Sequence, residues 1–136
     1  MLEGQCLCGA ITVRASSAAA LRACHCNMCR KHTSSMFMSL ELHQQSLEIK
    51  GDVATYRSSE WAERGFCSTC GSTIFYATLH DGRRNLAAGL FADAANAPLT
   101  QEFYADTCPD SYVLLDRGQQ KLTTAQTIAL FTGGNA

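Results

Sequence analysis

Eight cysteines in 136 residues fall into three clusters and a singleton: Cys6-Leu7-Cys8, Cys24-His25-Cys26-Asn27-Met28-Cys29, Cys67-Ser68-Thr69-Cys70, and Cys108. Thiolates at such spacings bind metal. Zinc takes about four tetrahedral ligands with Zn–S near ~2.3 Å, and a pair of cysteines on one tight turn supplies half of such a site. Cys67-Ser68-Thr69-Cys70-Gly71 has the form of a metal knuckle, and Cys6-Leu7-Cys8-Gly9 is its natural partner. Together they predict a closed all-thiolate centre, structural in kind, that staples chain segments about 60 residues apart. Structural zinc of this type contributes on the order of 10 kcal/mol to folding.

Cys24, Cys26 and Cys29 make a different set, with no fourth cysteine close in sequence. Three protein ligands and one open position is the composition of a reactive zinc site, where an exogenous thiol, water or substrate oxygen can enter. Such a centre lowers a thiol's pKa. Zinc with three thiolates carries a net negative charge, so cations must sit beside it; Arg30 and Lys31 follow the cluster directly and are candidates for meeting substrate carboxylates. Other readings stand beside this one. The even cysteine count fits disulfides, although C-x-C closes poorly. His25, His32 or Cys108 could complete the second site and make it structural, and four thiolates bind iron as well as zinc. His25 could shuttle protons or simply pack. Cys108 reads as a small buried hydrophobe, and His43 and His80 as surface or turn residues. Ser34, Ser35 and Ser72 read as turn or cap hydroxyls, because no His/Asp partner can be placed. Trp61, Phe66, Phe75 and Tyr76 read as core aromatics.

These residues must be carried by a framework, and the framework reads as mainly β. Ala10–Arg14, Met36–Leu40, Leu47–Ile49, Ala54–Arg57, Trp61–Phe66, Thr73–Thr78, Asn85–Leu90 and Glu102–Ala105 have strand character. Gly51-Asp52, His80-Asp81-Gly82 and Asn96-Ala97-Pro98 punctuate them, Asp81-Gly82 being a hairpin signal. Ser16-Ser17-Ala18-Ala19-Ala20 reads as a loop or a weak helical turn. Helix is expected only as one turn at Cys26–Lys31 and as Thr123–Phe131, which starts at a threonine N-cap and stops at Gly133-Gly134. The length suits one domain, residues 1–136.

Composition excludes several classes. Lys plus Arg is 11 against Asp plus Glu 12, a formal charge of -1. This balance is wrong for a basic nucleic-acid clamp and for an acidic disordered tail. No stretch of ~18 apolar residues occurs, so no membrane span is expected. The start lacks an export signal's pattern, which points to a reducing, cytoplasmic setting where thiols stay free or bind metal.

Three segments then carry a resemblance. Gly4-Gln5-Cys6-Leu7-Cys8-Gly9-Ala10-Ile11, Cys24-His25-Cys26-Asn27-Met28-Cys29-Arg30-Lys31 and Arg64-Gly65-Phe66-Cys67-Ser68-Thr69-Cys70-Gly71-Ser72 resemble the glutathione-dependent formaldehyde-activating enzyme family. Ala88-Gly89-Leu90-Phe91-Ala92-Asp93 is similar to that family's Ala-Gly-x-x-Asp segment, one residue longer. The resemblance implies a β-tent of several small antiparallel sheets built around a structural zinc, with few short helices. It implies two zincs per chain, one held by Cys6, Cys8, Cys67 and Cys70 and a catalytic one held by Cys24, Cys26 and Cys29. It implies a carbon–sulfur lyase that joins glutathione, or a similar thiol, to formaldehyde or another small aldehyde, giving S-hydroxymethylglutathione. Two departures stand out: Ser34-Ser35 replaces the family's glycine-containing pair, and Tyr112 is the only aromatic near Pro109 where the family often has Pro-Trp. A non-catalytic zinc module that binds a protein or a thiol metabolite is the competing reading, and metal or redox sensing through the exposed cluster a third.

Overall fold

The protein was obtained as a computed structural model, which describes residues 1–42 and 46–133; His43 and Gly134 lie outside these residues. The described residues form, in chain order, β1 (Leu2–Gln5), β2 (Thr12–Ala15), β3 (Ala18–Cys24), α1 (Asn27–Thr33), β4 (Phe37–Leu42), β5 (Glu48–Lys50) and β6 (Val53–Arg57). There follow β7 (Ala62–Cys67), β8 (Thr73–Thr78), β9 (Arg84–Ala87), β10 (Leu99–Phe103), β11 (Gln120–Lys121) and α2 (Thr124–Thr132). The mainly β expectation holds. The strands make two sheets, a small one ordered β1-β2-β5 and an eight-stranded one ordered β11-β10-β3-β4-β9-β8-β7-β6. The small sheet is antiparallel, whereas β10 pairs in parallel with both β3 and β11, so the large sheet is mixed. Among the described residues no helix is long and apolar enough to cross a membrane, which says nothing of strands.

Side chains alternate along a strand, so register decides what meets on each face. On one face of the large sheet Leu40 stands opposite Leu86 and Leu86 opposite Phe75. These join Ile11 and Val13 of the small sheet's side in one buried apolar cluster. Gly65 lies opposite Phe75, and a Cβ there would stand 2.4 Å from the ring, so only glycine lets the two strands pair. The other face is polar and aromatic. Arg64, Tyr76 and Asn85 lie side by side across β7, β8 and β9. Ser39 lies opposite both Arg22 and Ala87, and Cys24 opposite both Phe37 and Phe103.

The strand at Ala18–Cys24 replaces the loop or weak helical turn expected at 16–20. Its small residues have little strand propensity, and hydrogen bonding to β4 on one side and β10 on the other imposes the extended form. The Asp81-Gly82 hairpin is present between β8 and β9, with Gly82 at φ +69. At the C-terminus α2 starts at a capping box. Thr123 Oγ1 accepts the Gln126 N–H at 3.2 Å and Gln126 Oε1 accepts the Thr123 N–H at 2.9 Å. Phe131 of this helix meets the rings of Phe103 and Tyr76 edge-on, at 5.0 and 6.0 Å, on the polar–aromatic face.

Helix α1 ends at Ser34, whose φ of 68 is left-handed and whose N–H reaches the Arg30 carbonyl at 2.8 Å. A serine there carries a Cβ cost that glycine does not. Ser34→Gly is expected to stabilise the fold by about 0.5–1 kcal/mol, a rise of a few degrees in Tm in a thermal melt.

Candidate metal centres

Cys6 and Cys8 leave the end of β1, and Cys67 and Cys70 leave the end of β7. The two turns are built alike. Cys6 N–H bonds the Ile11 carbonyl and Cys67 N–H the Ser72 carbonyl, at 3.1 and 2.9 Å. Cys6 Sγ accepts the Ile11 N–H at 3.3 Å and Cys67 Sγ the Cys70 N–H at 3.5 Å. Gly71 closes its knuckle at φ +77, a conformation that favours glycine. Ser72 links the turns: its hydroxyl accepts the Leu7 N–H and lies 3.2 Å from Cys70 Sγ. That hydroxyl is the chief reason the Cys70 thiol falls to about 5.

The four sulfurs lie within 4.8 Å of one another. A tetrahedron with bonds of ~2.3 Å has edges of ~3.8 Å. The Cys6–Cys8 and Cys8–Cys67 sulfurs stand 3.6 and 3.8 Å apart. This quartet therefore fits a tetrahedral thiophilic metal. All eight cysteines are free of disulfides.

The second cluster joins the end of β3 to the first turn of α1. Cys24, Cys26 and Cys29 also place their sulfurs within 4.8 Å of one another. Cys26 is the N-cap of α1, and its Sγ accepts the Cys29 N–H at 3.3 Å. With three thiols so close, one ionises at the others' expense. Cys26 is drawn down, first by hydrogen bonding from Cys24 and then from Cys29, while Cys24 is pushed up by sharing with Cys26. Such a set offers three sulfur ligands, each of which would be deprotonated outright on binding a metal cation.

The nearest buried cation is Arg64, only 3% exposed. Its Nη1 donates to Cys29 Sγ at 3.4 Å and its guanidinium lies 5.1 Å over the Tyr76 ring. Burial alone would lower this guanidinium, but Cys29 and Cys26 more than reverse that and leave it raised. Arg30 points elsewhere: its Nε donates to the His25 carbonyl at 3.0 Å and its Nη2 to Asn27 Oδ1 at 2.7 Å. Lys31 is exposed and borders a separate surface groove with His32 and Ser34. The structure thus brings Cys24, Cys26 and Cys29 together with Arg64 and not with the side chains of Arg30 or Lys31. No local spacing in the sequence marks Arg64, because strand pairing across β7 and β8 brings it to the trio.

His25 is fully buried and turned to the opposite face from Cys24. Its Nε2 lies 2.8 Å from Glu102 Oε1, and Glu102 Oε2 accepts Gln119 Nε2 at 3.0 Å. It packs within a polar network that holds the cluster's backbone, its carbonyl accepting Arg30 Nε and Thr107 Oγ1. Cys108 Sγ lies 3.5 Å from the Pro109 carbonyl, away from both clusters. His80 pairs with Asp81 at the surface, at 3.4 Å. Phe75 belongs to the core, whereas Trp61 and Tyr76 are half-buried and face the trio.

Above the trio is a cavity of about 40 Å³ walled by Phe37, Trp61, Arg64, Tyr76, Phe103 and Phe131. An enclosed water needs ~10–15 Å³ of such space, so the cavity admits a molecule of very few heavy atoms. Tyr76 Oη accepts Trp61 Nε1–H at 3.2 Å, and burial pushes its phenol up to about 12, so it carries its proton at neutral pH. Arg64→Gln is expected to weaken metal retention by the trio about 10–100-fold, as loss of an outer partner does at other metal centres. Competition with a graded chelator measures this, and unchanged retention would remove Arg64 from the site.

A mixed β fold with a sulfur quartet and a sulfur trio defines a protein with two potential metal centres of unequal ligand number. The sequence profile described as glutathione-dependent formaldehyde-activating enzyme matches residues 1–107, and the chain belongs to that family. A Schizosaccharomyces pombe protein named as an uncharacterized lyase is 36% identical over 115 residues, covering 81% of this chain and 82% of that protein. The crystal structure of a Rhodobacter sphaeroides protein matches in fold with a TM-score of 0.57 at 20% identity, covering 73% of this chain and all of that one.

Proposed function

We propose that the protein is a zinc-dependent carbon–sulfur lyase that adds the thiol of glutathione, or a similar small thiol, to formaldehyde or another small aldehyde. It acts as one cytoplasmic domain spanning residues 1–136, with a structural zinc on Cys6, Cys8, Cys67 and Cys70 and a second zinc on Cys24, Cys26 and Cys29. The carrying observation is the trio of sulfurs opening onto a cavity sized for a very small molecule. Zinc on three thiolates supplies the charge that keeps a substrate thiol ionised near neutral pH.

The chain's own residues do the rest. Arg64 offsets the surplus negative charge of the cluster through its contact with Cys29. Phe37, Phe103 and Phe131 keep the cavity apolar and exclude bulk water, so electrostatic contacts inside it act at low dielectric. The substrate sulfur forms a bond to the carbonyl carbon as the C=O π pair moves to oxygen, and the proton given up by the thiol ends on that oxygen. Tyr76 Oη, already accepting from Trp61, keeps its own proton free to donate to the developing oxyanion. Arg30 and Lys31 are proposed as outer cations that attract an anionic thiol to the protein.

Metal analysis of purified protein, followed by titration with glutathione and formaldehyde, tests this reading. The expected result is two zincs, one labile and thiol-responsive, with faster S-hydroxymethylglutathione exchange by NMR than in buffer. One tight zinc with no acceleration would identify a binding module instead.

A further inference from the structure

Arg22 and Cys24 sit two residues apart on β3, so their side chains leave the same face about 7 Å apart. Arg22 is only 8% exposed. Its guanidinium lies 5.3 Å over the Phe103 ring and donates through Nη2 to Asn85 Oδ1 at 2.5 Å, but its Nε is buried with no partner. A buried guanidinium ordinarily faces a carboxylate. Among the described residues none lies within ion-pair reach of Arg22. Burial chiefly lowers its pKa, while Glu41 attracts it from further off and Arg83 repels it.

Asn85 and Phe131 wall the trio cavity on one side and an open groove of about 630 Å³ on the other. Arg22, Arg83, Glu41, Gln101 and Gln120 line that groove. Its other acid, Asp81, is already engaged by the Thr78 hydroxyl, the Arg83 N–H and His80. The groove therefore offers two cations close enough to repel each other and one acid without an ion-pair partner among the described residues.

We propose that this groove holds the charged backbone of an amino-acid-derived thiol, with Arg22 and Arg83 on its carboxylate and Glu41 facing its ammonium. This rests on the reading above, since the sulfur must reach the trio. The spacing suits it: two extended residues span about 7 Å, which matches a carboxylate one residue beyond a cysteinyl sulfur. A neutral thiol of similar size would leave Arg22 unpaired.

The test uses metal-loaded protein and two unreactive probes, S-methylglutathione and its dimethyl ester, titrated by calorimetry with NMR mapping. The acid is expected to bind with shifts at Arg22, Asn85 and Gln101, and the ester about tenfold or more weaker. Arg83→Gln, at an exposed position, should weaken the acid about tenfold and leave the ester unchanged, so a failure of Arg22→Gln to fold does not decide the matter. Equal binding of acid and ester, no binding of either, or shifts confined to the groove at Lys31 and Ser34 overturns the proposal. Turnover of glutathione with formaldehyde is scored separately. Probe binding without turnover sinks the lyase reading alone, and turnover without charge-dependent binding sinks the groove alone.

Discussion

Cys67→Ser is expected to deprive the protein of its native fold. Cys67 is 1% exposed at the end of β7, and its sulfur stands 3.8 Å from that of Cys8, 59 residues earlier. The quartet ties the end of the small sheet's first strand to the large sheet. A structural metal at such a site contributes on the order of 10 kcal/mol. The whole stability of a domain is ~5–15 kcal/mol, so losing one of four ligands removes most of it. The variant should show weak far-UV circular dichroism, no cooperative melt and loss of both metals. A cooperative melt within a few degrees of the parent would falsify the staple role.

Cys26→Ser should behave in the opposite way. Cys26 caps α1 by accepting the Cys29 N–H, and a serine hydroxyl is a preferred acceptor at that position. The cap survives while a thiolate ligand is lost. The expected protein is folded, holds one metal instead of two, and loses thiol-dependent turnover by about a thousandfold or more. Metal content, circular dichroism and aldehyde turnover on one preparation check it. Unfolding in step with metal loss would show that the trio holds the fold together and has no open corner.

Much of the scaffold could be read from local pattern. Thr73–Thr78 matches β8 residue for residue, and the Thr123 cap and Gly133 stop bracket α2 as expected. The two sulfur sets were legible because C-x-C and C-x-x-C are local geometry. Three things were not. Strand β1 alternates Leu, Glu, Gly and Gln, which carries little apolar signal. Strand β3 depends on β10, whose Phe103 pairs with Cys24 across most of the chain, and no local period reports such a partner. The cation of the trio was sought at Arg30 and Lys31, adjacent in sequence, whereas Arg64 arrives from another strand. Periodicity tells which face a residue takes, and only pairing register tells what waits on that face.

Strand β7 carries Arg64 against the trio and, three residues on, Cys67 in the quartet. On the roles proposed above, about 10 Å of extended backbone is a common beam between the holding centre and the working one. If the far end loses its anchor, the guanidinium loses its aim, so activity cannot outlast the integrity of the clasp.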